Sequence, residues 1–370
     1  MMHGGSEKWA SGWRRYVGGG AIAALSVILI FAAVELTVRI EDRLRWGTPM
    51  TASAVGLSDL TVVDEAGRHP LALSAYRKWK INSIGTRGPE PDSTGAAPRV
   101  LVLGASETFG LYESPDKEYP RQLGDSLRAA GCRVDVLNAA FPGMSLPTVH
   151  HDLRERLSKL RPAVVVYYPT PPQYLDIDPP VHVTPVAPGR PGAAASLRLI
   201  PRFRDQFKLM LPAVVQDRLR AAMIERARRD KDSTWLFTEV PADRLAAFEL
   251  DLRKLVATIR EIGAEPVLMT HANSFMTDTA PDENRLRSWE RFYPRATGET
   301  LLAFESAAAG TVRRLAGELG VRLVDTETGF RTSTQGELFA DFSHFTDAGA
   351  ARMAMLMRAE ISAAVGCVTQ

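Results

Sequence analysis

The chain has 370 residues, 45% of them hydrophobic and 24% charged, with a formal net charge of +2 at pH 7. This length allows one large α/β domain with insertions or two smaller domains. The near-neutral charge argues against nucleic acid as a partner. The only cysteines, Cys132 and Cys367, have no metal-binding spacing and can be free thiols or one disulfide. No P-loop or dinucleotide-binding glycine pattern occurs either, so we predict no metal and no other cofactor.

An uncharged segment near the N-terminus predicts a membrane anchor. Val17–Val34 has 18 uncharged residues, which span roughly 27 Å as a helix, close to the hydrocarbon core of a bilayer. We expect a cytoplasmic arm over residues 1–16 and a transmembrane helix over 17–38, with the rest of the chain periplasmic and the anchor in the inner membrane. The basic residues on either side are balanced, so this orientation depends on long domains being able to translocate despite their charge. A cleaved signal peptide and a buried core helix are the alternatives.

The region over residues 39–97 is predicted to be membrane-proximal and to cover an edge of the main sheet. Arg39–Arg45 continues the anchor as a charged helix. Lys80–Glu90 reads as a β-hairpin or loop over a sheet edge, and a polar, proline-containing linker follows it.

From residue 98 onward, short apolar strands alternate with amphipathic helices. This pattern predicts a three-layer α/β/α sandwich around a mostly parallel, five-stranded, doubly wound sheet. The predicted strands are Arg99–Leu103, Arg133–Asn138, Ala163–Tyr168, Glu265–Thr270 and Val321–Asp325. The predicted helices between and after them are Lys117–Ala130, Leu146–Leu160, Leu245–Ile262, Glu299–Leu319 and Ala348–Val365.

Two insertions interrupt this domain of residues 98–370, at about 170–240 and 273–297. The first contains a basic, helical stretch over Ser196–Asp232, which is either a lid or charged surface facing an anionic partner, or a solvated helical face with interleaved acids. The second carries Trp289, Phe292 and Tyr293, which could stack on a sugar or belong to the core.

Ser106 is the first candidate for chemistry. It follows the strand Arg99–Leu103 and the turn Gly104-Ala105, so its hydroxyl lies at the carboxyl edge of the sheet, where ligands of open α/β sheets bind. A serine in this position can equally be a turn or helix-cap residue. As a nucleophile it needs a base to take its proton.

His344 is the preferred base among seven histidines. It lies in a loop before the last helix, and Asp341, three residues upstream, can fold back onto one ring nitrogen while the other faces outward. His3 lies in the arm before the predicted membrane span, His69 in the region before the main domain and His182 in the proline-rich insertion, and His150 and His151 start a helix. His271 ends a strand and is expected to be a hydrogen-bonded structural residue.

Three blocks of the sequence resemble the SGNH, or GDSL-type, serine hydrolases. The blocks are GASETFG, NAAFPG and DFSH, and they occur in the family's order between Arg99 and Val365. The resemblance implies Ser106 as nucleophile, His344 as base and Asp341 as its orienting carboxylate. It also implies an oxyanion hole formed by the backbone N–H groups of Ser106 and Gly143.

Two positions depart from the family pattern. Ala105 stands where the family has an aspartate, and Pro171 falls where the family has an asparagine that donates to the oxyanion. Loss of such a donor can cost about 3 kcal/mol of transition-state stabilisation. Thr170, Gln173 and Asn273 are the candidate substitutes.

These observations lead to a membrane-anchored serine hydrolase that cleaves O-acyl esters, with an O-acylated cell-envelope polysaccharide or another small ester as the expected substrate. One alternative is an O-acyltransferase with the same triad, in which a sugar hydroxyl replaces water. A second alternative is a non-catalytic protein that binds glycans or assists their assembly.

Overall fold

We describe the fold from a computed structural model. The structure describes residues 6–52, 54, 56–176, 197–199, 202–203, 213–232, 234–276, 280–331 and 335–367.

A single long helix, α1 (Ser6–Trp46), opens the chain. Within the described residues, its segment Ile22–Trp46 is long and apolar enough to cross a bilayer, with a mean hydropathy of 2.1 and 6% of the apolar window buried. The apolar side chains from Ile22 to Phe31 are exposed, as expected of a surface that contacts lipid. A helix of the length and composition predicted for an anchor is therefore present; the membrane itself and the orientation remain predictions.

The central sheet has five strands: β5 (Arg99–Leu103), β6 (Asp135–Asn138), β7 (Val164–Tyr167), β8 (Glu265–Met269) and β9 (Arg322–Val324). All are parallel, in the order β6-β5-β7-β8-β9, which confirms the predicted fold class. This order places β5 between β6 and β7, the two strands that follow it along the chain, so the direction of winding reverses at β5.

Two cores cover the two faces of this sheet. On β5, Leu101 and Leu103 point into one core while Val100 and Val102 point into the other, because successive strand residues face opposite sides. All four of these side chains are fully buried, which explains why the strand is a continuous apolar run and not an alternating one.

Helices surround the sheet and complete the three layers. Those with at least eight described residues are α3 (Tyr119–Ala129), α4 (Leu146–Glu155), α6 (Ala213–Arg228), α7 (Ala242–Glu261), α8 (Glu283–Phe292), α9 (Gly298–Leu319) and α12 (Asp347–Ala364). Short helices are α2 (Ser106–Phe109), α5 (Gln173–Asp176), α10 (Thr326–Gly329) and α11 (Gln335–Leu338), with 3₁₀ turns at Leu57–Leu60 and Leu157–Leu160. The predicted helices of the domain all occur, with ends shifted by up to three residues except at Leu146–Leu160, whose last turn is the separate 3₁₀ segment.

Two small hairpins precede the sheet: β1 (Thr61–Asp64) with β2 (Gly67–Pro70), and β3 (Ala75–Tyr76) with β4 (Trp79–Lys80). The chain after β4 then reaches the main sheet, where Arg87 forms an antiparallel bridge with Asn138 of the edge strand β6. This bridge places Arg87 at the edge strand β6, while the edge-covering role of residues 39–97 as a whole stays a prediction.

The two cysteines form a disulfide, which resolves the alternative left open by the sequence. Cys132, after α3, is bonded to Cys367, after α12, with their Cα atoms 5.6 Å apart. The bond joins two helices that share one core and encloses a sequence separation of 235 residues. A crosslink over so long a segment restricts the unfolded chain strongly.

We expect the Cys132→Ala/Cys367→Ala double variant to lose about 2–4 kcal/mol of unfolding free energy, because the unfolded chain regains the entropy of the open loop. Thermal or urea denaturation with and without dithiothreitol measures this. Reductant should lower the stability of the wild type and leave the double variant unchanged; equal effects on both proteins would contradict the crosslink.

Candidate active site

The turn after β5 presents Ser106 at the carboxyl edge of the sheet. Gly104 is required there, because a Cβ atom on it would overlap the Thr108 side chain and lie 3.1 Å from the Tyr168 carbonyl oxygen. Ser106 is the first residue of α2, so its N–H has no acceptor within the helix and remains available to another group.

The neighbouring residue Glu107 lies at the centre of this region, although sequence reasoning did not single it out. Its side chain is 3% exposed. Its carboxylate accepts hydrogen bonds from the hydroxyl of Ser106 at 3.2 Å and from that of Ser343 at 3.1 Å, with the Thr170 hydroxyl at 3.4 Å. Glu107 therefore connects the turn after β5, the loop after β7 and the loop before α12.

Asp341 and His344 form the pair that their spacing predicted. The Nδ1 atom of His344 lies 3.0 and 2.8 Å from the two carboxylate oxygens of Asp341. The Asp341 carboxylate also accepts the backbone N–H groups of Ser343 and His344, which fixes the turn. It therefore acts both as a turn residue and as the partner of the imidazole.

The structure brings Ser106 and His344 to one cluster through Glu107 and Ser343. Nε2 of His344 is buried and makes no hydrogen bond to the residues that the structure describes, so the serine hydroxyl is not bonded to it in this conformation. Burial lowers the pKa of His344, but the Asp341 hydrogen bond and the charge of Glu107 outweigh it and raise that pKa above its usual value.

A buried ionic chain holds Glu107 in its charged form. His271 lies with Nδ1 2.7 Å from a Glu305 oxygen and Nε2 3.9 Å from a Glu107 oxygen, and all three side chains are at most 4% exposed. Burial alone would lower the pKa of His271, yet the two carboxylates raise it to about 10. Burial alone would raise the pKa of Glu107, yet His271 and His344 lower it to about 2. His271 is structural, as predicted, but as an ion-pair partner.

The predicted oxyanion donors are arranged as follows. Gly143 follows β6 in the left-handed region at φ 74°, and its carbonyl oxygen accepts a bond from Arg68. Its N–H donates to no acceptor among the described residues. Of the three substitutes, Thr170 is already bonded to Glu107. Asn273 is 2% exposed; its oxygen accepts the Phe275 N–H, and the adjacent Ser274 N–H donates to the Phe342 carbonyl of the His344 loop.

Of the three candidates, Asn273 is therefore the one whose chain neighbour bonds to the loop that carries His344. Gln173 begins α5 after the Pro171-Pro172 pair, and the structure gives its side chain no contact with the Glu107 cluster among the described residues.

The other candidate residues have structural contacts. His69 pairs with Asp64, His150 bonds the Thr258 hydroxyl, and His151 contacts a backbone carbonyl. Trp289 is 1% exposed and stacks on Phe275 and Phe342, so it belongs to the core, whereas Phe292 is 53% exposed. His3, His182 and much of the basic insertion lie outside the described residues. No group of three or more potential metal ligands occurs in the described part of the chain.

No protein-family model matches the chain, and no curated protein matches it in sequence. Solved structures do match it. A structure titled TesA matches with 15% identity and a TM-score of 0.42, covering 72% of this chain and 99% of that one. A lipase/acylhydrolase from Enterococcus faecalis has 14% identity and a TM-score of 0.43, covering 72% and 96%. An acetyl xylan esterase has 13% identity and a TM-score of 0.42, covering 71% and 99%.

We expect Glu107→Gln to destabilise the protein by about 3–5 kcal/mol near neutral pH, because it leaves the buried His271 cation without one of its two carboxylates. The Glu107 contribution is present above pH 4.5 and is lost as pH falls toward its folded pKa of about 2. Urea denaturation at pH 7 measures the loss.

Glu299→Gln, which removes an exposed carboxylate from the first turn of α9, is the matched control and should change stability little. A Glu107→Gln protein as stable as this control would show that the buried ionic chain does not depend on the charge of Glu107.

Proposed function

We propose that this protein is a serine hydrolase that cleaves O-acyl esters. The observation that carries the proposal is the convergence of the predicted nucleophile and base: Ser106 and the His344 loop both contact the buried Glu107 carboxylate. The three sequence blocks resemble the SGNH-type hydrolases in composition and order, and this convergence is what a shared catalytic role for them requires.

In the proposed reaction, the Ser106 hydroxyl turns from Glu107 to the free Nε2 of His344 and attacks the acyl carbonyl carbon. Its proton passes to Nε2, while the Asp341 carboxylate holds Nδ1–H and stabilises the imidazolium. The tetrahedral oxyanion lies against the N–H groups of Ser106 and Gly143, with the Asn273 amide as a third donor. Collapse breaks the ester bond, and the alcohol leaves with the proton from Nε2.

Water completes the turnover. His344 Nε2 takes a proton from the water, the resulting hydroxide attacks the acyl-serine, and the acid is released as the proton returns to the Ser106 oxygen. If a sugar hydroxyl entered in place of water, the same steps would transfer the acyl group, so the two activities share every residue named here.

Two features support an extracytoplasmic location for this chemistry. The Cys132–Cys367 disulfide is typical of oxidising compartments such as the bacterial periplasm. The apolar N-terminal helix has the length of a single membrane span. Together they favour a domain held at the outer surface of the inner membrane, where esters on envelope polysaccharides are accessible.

We expect Ser106→Ala and His344→Ala each to reduce kcat for p-nitrophenyl acetate by at least about 10³-fold while the fold is retained, because each removes an essential part of the proton transfer. The assay uses the full chain in detergent, with circular dichroism as the folding control. Wild-type protein without turnover would contradict the proposal and favour the binding protein considered above. Variants that remain fully active would contradict the roles assigned to Ser106 and His344.

The pH profile reports on the base. Because the pKa of His344 is raised, kcat/KM should fall as pH decreases through a midpoint above 6.5, where the imidazole becomes protonated. Asp341→Asn removes the carboxylate that raises this pKa, so it should lower the midpoint as well as kcat. An unchanged midpoint in Asp341→Asn would mean that another group titrates.

Comparing kcat of two variants, Asn273→Ala and Thr170→Val, can identify the third oxyanion donor. We expect Asn273→Ala to lower kcat about 10²–10³-fold with little change in KM, because its amide would act mainly on the transition state. Thr170→Val, which removes a hydroxyl bonded to Glu107, is the matched control and should have the smaller effect on kcat. The reverse order would assign the donor to Thr170.

A further inference from the structure

A basic cavity lies between the end of α1 and the catalytic domain. It has a volume of about 350 Å³, and its cationic and indole lining consists of Arg45, Trp46, Lys78, Lys80, Arg87 and Arg121. The carboxylates of Asp116 and Glu118 complete the charged lining, so the wall carries five cationic side chains and two anionic ones. This volume suits a single sugar unit.

The charged side chains at the floor of the cavity neutralise each other. Arg87 and Glu118 form an ion pair at 3.0 Å, and both side chains are at most 3% exposed. Arg87 also donates to the backbone carbonyls of Phe109 and Gly110, at the end of the short helix that begins with Ser106. The floor is therefore a structural support for the nucleophile turn.

The two lysines of the cavity differ from Arg87, because neither has a carboxylate within ion-pair distance among the described residues. Lys78 donates to the backbone carbonyl of Glu113, and its pKa is lowered to about 8 by burial and by the nearby Arg87 charge. Lys80 is exposed and approaches Gly47 at the end of α1. An ammonium group that is partly desolvated and unpaired favours the entry of an anion.

The remaining rim groups add donors. Nε1 of Trp46 is buried without an acceptor among the described residues. Arg45 and Arg121 have only partly exposed pairs, with Glu41 at 3.6 Å and Asp125 at 3.3 Å, and such pairs are weak in water. An incoming anion can therefore accept hydrogen bonds from these groups without breaking a buried ion pair.

One loop separates this cavity from the catalytic histidine. The Tyr112 ring lies 5.3 Å from the His344 ring, and the Ser114 N–H donates to Asp347 at the start of α12. The next residues of the same loop, Pro115 and Asp116, line the cavity. An oligomeric ligand with one unit in the cavity would thus have to cross only this loop to reach Ser106.

The position of the cavity along α1 favours a glycan over a lipid headgroup. The domain contacts α1 from Glu35 onward, where the carboxylate accepts the Leu199 N–H, and Asp42 pairs with the buried Arg198. Trp46 lies 11 residues beyond Glu35, roughly 17 Å along the helix. The polar layer of a bilayer leaflet is only about 5–8 Å thick, so the cavity lies beyond it.

We infer that this cavity binds a carboxylate-bearing sugar unit of an acidic glycan, and that the esterified unit of the same chain reaches Ser106. The inference rests on the proposed function, because it names the class of glycan that carries the ester. The Lys78 and Lys80 ammonium groups bind the carboxylate, and the Trp46 N–H donates to the same ligand. Binding weakens with rising ionic strength, since the rim is open to solvent.

The test is calorimetric titration of the full chain in neutral detergent with two unesterified oligosaccharides, hexagalacturonate and neutral xylohexaose. We expect at least tenfold tighter binding of hexagalacturonate. Lys78→Ala/Lys80→Ala should weaken it at least tenfold, as should the single rim variant Lys80→Glu, which alters only an exposed side chain. Lys159→Ala, an exposed lysine outside the cavity, should bind like the wild type.

Equal affinity for the two oligosaccharides, or an unchanged affinity in both lysine variants, would overturn the inference. So would binding of soluble dihexanoyl phosphatidylglycerol or inorganic phosphate in place of hexagalacturonate, which would assign the cavity to a lipid headgroup or a small anion. Because these ligands contain no ester to be cleaved at Ser106, their binding is measured independently of hydrolysis. Absent esterase activity with intact binding overturns only the proposed function.

Discussion

The buried carboxylate of Glu107 is the constraint on which the arrangement of the candidate site depends. It bonds the hydroxyls of Ser106 and Ser343 and lies against the His271 cation, so three loops from distant parts of the chain share one charged centre. A buried carboxylate without such partners would be strongly unfavourable. The turn that presents Ser106 and the loop that carries His344 are thereby held together by the same charge.

The sequence predicted the parts of this site that depend on local pattern. Apolar runs predicted the strands of the sheet, most clearly the inner strands β5 and β7, because both faces of these strands are covered. The three-residue spacing predicted the Asp341–His344 pair, because a turn brings those groups together. Glu107 was missed: a glutamate in the first turn of a helix ordinarily faces solvent, and its partners His271 and Glu305 are far away in sequence.

The N-terminal helix was predicted as an anchor, yet its last three turns also belong to the domain. Glu35 and Asp42 are 8% and 2% exposed and bond to Leu199 and Arg198, which belong to a described part of the first insertion. These pairings could not be read from the sequence, because each charge alone is typical of a solvated helix leaving a membrane. They hold the end of the helix in place as one wall of the basic cavity, so the proposed anchor and the proposed ligand site share residues.

The most direct test of the account is to trap the nucleophile. A fluorophosphonate should phosphonylate Ser106 in the full chain, because in the proposed mechanism His344 takes the proton of the Ser106 hydroxyl and so activates it as a nucleophile. Peptide mass spectrometry should locate the adduct on Ser106 in the wild type and find none in Ser106→Ala, with labelling greatly slowed in His344→Ala. Stoichiometric labelling at another residue, or no labelling of folded wild-type protein, would contradict the central claim.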